Sequence, residues 1–192
     1  HVKFGEDVAI LAGDGLLTQA FLQAAKTDCD SDTLVSILRL LSDYSGANGM
    51  ILGQIKDLEG EADPNADVET LRDIHFYKTG RLLTLPFLCA ALLAGRKADL
   101  DAWNKIGADI GLSFQIQDDV LDVTSTVEEL GKNINSDAEN GKTTYVTLLG
   151  IHQAQQDAKT IYERALQCLS DIPLKTAQPL LKIFEQLMNR KH

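Results

Sequence analysis

Apolar residues recur at helical rather than alternating spacing along nearly the whole chain, as with Leu34, Ile37, Leu38 and Leu41, or Ile161, Ala165 and Leu169. A spacing of this kind gathers its apolar side chains on one face only if the backbone is helical. Strand signals are nearly absent, with four prolines and no Asn-Gly or Asp-Gly hairpin between β-branched runs. The expected fold class is all-α, with helices near 6–26, 32–58, 67–79, 81–95, 99–123, 126–130, 143–170 and 176–190. The longest apolar run, Leu82 to Ala94, contains Pro86 and falls short of the roughly 20 residues a membrane span needs, so it reads as a buried core helix. Asp63-Pro64-Asn65 marks a turn, Ser125 with Glu128 forms a capping box, Gly131 stops the short helix that follows, and 132–142 is a loop. No linker, repeat or low-complexity tract divides residues 1–192, which form one domain or part of one.

Charge and cysteine usage exclude several function classes. The 28 acidic and 18 basic residues among 192 leave a formal charge of -10, which repels a nucleic-acid backbone and an anionic bilayer alike. Neither nucleic acid nor membrane is an expected partner. Cys29, Cys89 and Cys168 are odd in number, far apart and without a CxxC pair, so neither a disulfide framework nor a zinc cage is suggested. With no leader pattern after His1, a reducing cytoplasm is the expected location.

The strongest chemical signal lies in Phe114-Gln115-Ile116-Gln117-Asp118-Asp119-Val120-Leu121-Asp122. At about 100° per residue, Gln115, Asp118, Asp119 and Asp122 share one arc of a helix whose remainder is largely apolar. Gly111 and Ala108 continue that arc backwards as a small-sided stripe, beside which a cavity is expected. Clustered carboxylates repel unless a cation neutralises them, and oxygen-only ligands suit Mg²⁺. Magnesium takes only one or two carboxylates and completes its sphere with water and substrate phosphates, so a diphosphate substrate is expected. The competing interpretation is a plain solvated helix face.

Other constellations are weaker. Ser42, Gly46, Gly49 and Gly53 form a stripe of small residues on the expected helix 32–58, able to receive a ligand or a closely packed helix. Gln54 and Asp57 end that stripe on one face. Lys78-Thr79-Gly80 interrupts two apolar stretches, where a kink would turn backbone carbonyls toward a cation, or a simple junction would leave Lys78 in solvent. Lys132 and Lys142 flank a loop that either closes over an anion or carries ordinary surface charge. The loop is not a phosphate-binding GxxxxGK[ST] motif, since Ser136 stands where a glycine is needed. Asp28, Asp30 and Asp32 imitate the start of a calcium loop, but Thr33 replaces its glycine and Arg39 its closing glutamate. The four histidines lack metalloprotease spacing.

Taken together in order, several segments carry a resemblance: His1-Val2-Lys3-Phe4-Gly5, Ala9-Ile10-Leu11-Ala12-Gly13-Asp14, Gly53-Gln54-Ile55-Lys56-Asp57-Leu58, Lys78-Thr79-Gly80, Phe114 to Asp122, Leu130-Gly131-Lys132 and Gly141-Lys142-Thr143-Thr144-Tyr145. With these the chain resembles the trans-isoprenyl diphosphate synthases, most closely the bacterial farnesyl diphosphate synthase group. The resemblance implies a helical bundle around a central cavity in which Mg²⁺ holds an allylic diphosphate. It also implies that Asp118, Asp119 and Asp122 are metal ligands, that Lys78, Lys132 and Lys142 bind diphosphate, and that Thr79 and Gln115 face the allylic cation. Lys78, Thr79 and Gln115 are thereby the expected catalytic residues, and Gln115 joins the lysines in binding substrate. The implied reaction condenses an allylic diphosphate with its homoallylic partner, isopentenyl diphosphate, giving a short-chain product such as farnesyl diphosphate.

The resemblance further implies a homodimer. In the family a first aspartate-rich motif lies upstream of the position matching His1, so the chain looks like the C-terminal two-thirds of a synthase, a partial domain lacking N-terminal helices and expected to be inactive alone. Gly15, where alanine is usual, and Val146, where proline often follows the tyrosine, depart from the family pattern. Two alternatives are a non-catalytic helical partner or regulatory subunit and a terpene cyclase, whose N-D-x-x-S-x-x-x-E motif is absent.

Overall fold

A computed structural model describes residues 1–61, 65–124 and 143–189. It is helical throughout, with no strand among the described residues. The elements are α1 (Glu6–Ala24), α2 (Ser31–Ser45), α3 (Met50–Glu61), α4 (Val68–His75), a π-helical turn (Phe76–Gly80), α5 (Arg81–Leu93), a 3₁₀ turn (Lys97–Asp99), α6 (Leu100–Thr124), α7 (Tyr145–Leu149), α8 (Ile151–Ser170) and α9 (Gln178–Met188). Local chemistry sets several of the starts. Asp30 accepts the Thr33 amide at 2.9 Å and Asp67 the Thr70 amide at 2.8 Å, each satisfying a donor that the first helical turn leaves unpaired. The aspartate at 30 is therefore a helix cap. Thr144 and Thr147 cap α7 reciprocally.

The long α6 is the axis of the bundle, packed most extensively against α8 and α5, with the π turn and α9 also against it. One core cluster joins Leu88, Trp103, Ile106, Ile110, Leu169 and Phe184, and a second joins Leu71, Ile74, Ile116, Val120, Tyr145 and Ala158. Burying several such side chains at about 1.5–3 kcal/mol each is the main force that fixes α6 between its neighbours. Ser113, midway along α6, has no accessible surface and donates from Oγ to the Ala158 carbonyl at 2.7 Å, tying α6 to α8. No helix among the described residues is long and apolar enough to cross a membrane.

Two expected helices are interrupted. The span 32–58 breaks at 46–49, where a Cβ on Gly49 would strike the Tyr44 carbonyl oxygen. The small-residue stripe from Ser42 to Gly53 is consequently not continuous: Gly46 and Gly49 make the break, and only Gly53 meets a neighbouring element. The break is held from a distance, since the Arg81 guanidinium donates to the Asn48 carbonyl at 2.9 Å and the Asp43 carboxylate at 3.2 Å while lying over the Tyr44 ring. The span 143–170 divides at Gly150, whose φ of 78° suits glycine far better than any residue with a Cβ. The expected helix 126–130 and its capping box lie outside the described residues.

Candidate active site

The site begins with an irregularity. Between α4 and α5 the chain stays helical but widens into the π turn Phe76–Gly80, where the Arg81 amide bonds to the Phe76 carbonyl. A π turn inserted in this way rotates the side chains within it relative to the helix on either side, and such insertions are common at functional positions. Glycines let this turn sit close to both neighbours. A Cβ on Gly53 of α3 would collide with the Lys78 backbone, and a Cβ on Gly111 of α6 would lie 2.7 Å from Gly80 Cα. The stripe beside the aspartates is thus filled at Gly111 by the π turn, where the sequence suggested a cavity. The Gly80 carbonyl is taken by the Thr84 hydroxyl at 2.7 Å, so it does not face outward toward a cation.

Lys78 and Thr79 of this turn bond to different helices, Lys78 to α3 and Thr79 to α6. Lys78 is half-buried rather than solvated, and its Nζ donates to Oδ2 of Asp57, which α3 presents one turn beyond Gly53. Thr79 donates from Oγ1 to Gln115 Oε1 at 3.1 Å, and Gln115 Nε2 reaches Asp118 Oδ2 at 3.5 Å. The structure therefore brings Thr79, Gln115 and Asp118 into one hydrogen-bonded series, with Lys78 next to Thr79 in the chain.

The aspartates of α6 do not share one environment. Asp118 is half-buried, whereas Asp119 and Asp122 are only 6% and 3% exposed. Asp119 Oδ2 accepts the Tyr145 backbone N–H at 2.9 Å, which anchors the start of α7 to α6. Tyr145 is fully buried, its ring stacks on His75 at 5.8 Å, and its hydroxyl accepts from Arg72 Nε at 3.1 Å. Burial pushes the Tyr145 phenol up, while the Arg72 bond opposes that shift. The sequence offered no sign of this junction, which joins α4, α6 and α7 across more than seventy residues.

For a cation, the donor set is chemically apt: every candidate ligand is a carboxylate oxygen, and Asp118 and Asp122 lie one helical turn apart. No group of three or more His, Cys, Asp or Glu side chains among the described residues converges as a metal cage. Mg²⁺ needs only one or two carboxylates and completes its sphere with water and phosphate oxygens, so the chemistry of Asp118 and Asp122 suits it, while Asp119 already gives Oδ2 to the Tyr145 amide. Lys132 and Lys142 lie outside the described residues.

This all-α bundle, with one long carboxylate-bearing helix packed beside a lysine-bearing turn, has the fold of solved isoprenyl synthases. The chain belongs to the polyprenyl synthetase family, whose profile matches residues 1–178. It is 41% identical to farnesyl diphosphate synthase of Micrococcus luteus over 81% of this chain and 54% of that protein. It is 38% identical to geranylgeranyl diphosphate synthase of Cyanophora paradoxa over 100% of this chain and 65% of that protein. Among solved structures, the geranyltransferase of Helicobacter pylori complexed with magnesium and isoprenyl diphosphate superposes with a TM-score of 0.82 at 33% identity, covering 98% of this chain and 62% of that one. The chain thus spans between about half and two thirds of the length of these relatives.

Proposed function

We propose that this chain carries the lysine-and-carboxylate part of a site for prenyl transfer, in which an allylic diphosphate is ionised and condensed with isopentenyl diphosphate. The observation that carries this reading is the bonded series Thr79, Gln115 and Asp118 next in the chain to the half-buried Lys78, in a chain of the polyprenyl synthetase family. When the carbon–oxygen bond of the allylic substrate breaks, the electron pair leaves with pyrophosphate and positive charge stays on carbon. Lys78 offers N–H donors to the departing anion, with Lys132 and Lys142 as further diphosphate ligands, while Thr79 and Gln115 direct oxygen dipoles toward the carbon cation. Asp118 and Asp122, with Asp119 bonded to the Tyr145 amide between them in the chain, would hold Mg²⁺, which would supply positive charge to the leaving group. Packing of the π turn against α3 and α6 helps exclude water that would otherwise quench the cation.

A short-chain product such as farnesyl diphosphate belongs to the same reading, which assigns residues 1–192 to a single partial prenyl-synthase domain of a cytoplasmic protein. All three cysteines are free thiols, in keeping with a reducing compartment. A homodimer belongs to it too: α1 buries no residue and exposes Val8, Ile10, Leu11 and Leu16, a surface that further protein is expected to cover. The test is calorimetric titration of the full-length protein with a non-ionisable allylic diphosphate analogue and Mg²⁺, alongside turnover and thermal unfolding. Asp118→Ala should lower turnover far more than stability, and Lys78→Ala should weaken binding of the analogue by about tenfold or more. Unchanged turnover in the first variant and unchanged affinity in the second would overturn the proposal.

A further inference from the structure

Two ion pairs leave α3 from adjacent positions and reach different elements. Lys56 bonds Asp73 of α4 at 2.5 Å, with side-chain exposures of 33% and 47%. Asp57 receives Lys78 of the π turn, and here the carboxylate is 7% exposed. An exposed pair of the first kind contributes little, because water and salt screen it. The second pair differs, since a carboxylate this buried is held by the fold and presents its oxygen in one place.

We propose that Asp57 is the positioning residue for Lys78, fixing the ammonium on the π turn so that it meets the diphosphate already ordered. The inference rests on the reading of Lys78 as a diphosphate ligand. A lysine has a flexible four-carbon stem and three N–H donors. Asp57 uses one donor and leaves the others for phosphate oxygens. Ordering the stem in advance removes an entropy loss that binding would otherwise bear. The backbone supports this arrangement: Gly53 admits the Lys78 main chain against α3, and Asp57 follows one turn later where the side chain arrives. The carboxylate also offsets part of the lysine's charge, an effect that by itself would weaken anion binding. The buried, fixed position of Asp57 makes positioning the dominant effect, and the experiment measures which of the two prevails.

The probe is inorganic pyrophosphate with Mg²⁺, titrated calorimetrically into the full-length protein and its Asp57→Asn, Lys78→Ala, double and Asp73→Asn variants. Asp57→Asn is expected to weaken pyrophosphate binding by about tenfold, the scale of one charge-assisted hydrogen bond. In the Lys78→Ala background the same substitution should have no further effect, because its action passes through the lysine. Asp73→Asn removes the neighbouring α3 ion pair and should leave the affinity unchanged. If Asp57→Asn does not fold, Asp57→Glu is read instead, with a smaller loss that also vanishes without Lys78. Wild-type or tighter affinity in the Asp57 variant, or a loss that persists undiminished without Lys78, would overturn the positioning role. If Lys78→Ala itself leaves pyrophosphate binding unchanged, it is the ligand reading of Lys78 that fails.

Discussion

Substituting Gly111 by alanine probes the contact that sets the π turn beside α6. The added Cβ would lie 2.7 Å from Gly80 Cα and 3.4 Å from its nitrogen. Carbon atoms in ordinary contact stand about 3.5–4.0 Å apart, so the turn and the helix must separate by roughly 1 Å. Both partners are backbone, which leaves no flexible side-chain end to swing aside. Overpacking of this kind costs about 1–3 kcal/mol, against which the better helix propensity of alanine returns about 1 kcal/mol. A shift of that size also stretches the 3.1 Å bond from Thr79 to Gln115 beyond hydrogen-bonding range, a further loss of about 1 kcal/mol. The expected net destabilisation is about 2 kcal/mol, read from the urea midpoint at unchanged slope in the full-length protein. Binding of an allylic diphosphate analogue should fall in parallel, because Lys78 and Thr79 ride on the displaced turn. A Gly111→Ala protein as stable as its parent, or more stable by the propensity gain alone, would show that the turn and α6 do not approach this closely.

The remaining predictions concern the junctions that hold the bundle. Tyr145→Phe deletes the hydroxyl that accepts from Arg72 and should lower stability by about 1 kcal/mol, since the exposed arginine recovers hydrogen bonds to water; thermal unfolding near neutral pH measures it. Because burial raises the Tyr145 phenol above its ordinary 10.0, the unfolded chain ionises first as pH climbs. The stabilising contribution of the neutral phenol is therefore present below about pH 10 and is lost as pH rises through the folded value, so the alkaline decline in stability should be shallower in Tyr145→Phe. An equally steep decline would refute that assignment. Phe184, without accessible surface and edge-on to Phe87 at 5.7 Å, docks α9 onto the core; Phe184→Ala should destabilise by about 3–5 kcal/mol in chemical denaturation.

Periodicity alone determined that the chain is helical, because the pattern that buries one face of a helix is written in residues three and four apart. It placed α6 at 99–123, against the observed Leu100–Thr124, and put Gln115, Asp118, Asp119 and Asp122 on one arc. Lys78-Thr79-Gly80 stood out as an interruption for the same local reason, and it forms the last three residues of the π turn. Tertiary structure decided the rest. Whether glycines at 46 and 49 continue a helix or end it depends on Arg81, which grips the break from more than thirty residues away. Whether Gly111 borders a cavity or a neighbour depends on Gly80, and whether Lys78 is solvated depends on Asp57, twenty-one residues earlier. Asp119 illustrates the division most clearly: its place on the carboxylate arc follows from helix geometry, but its bond to the Tyr145 amide exists only because α7 returns to α6. Contacts between distant segments leave no spacing for the sequence to display, and those contacts give each side chain on the arc its separate surroundings.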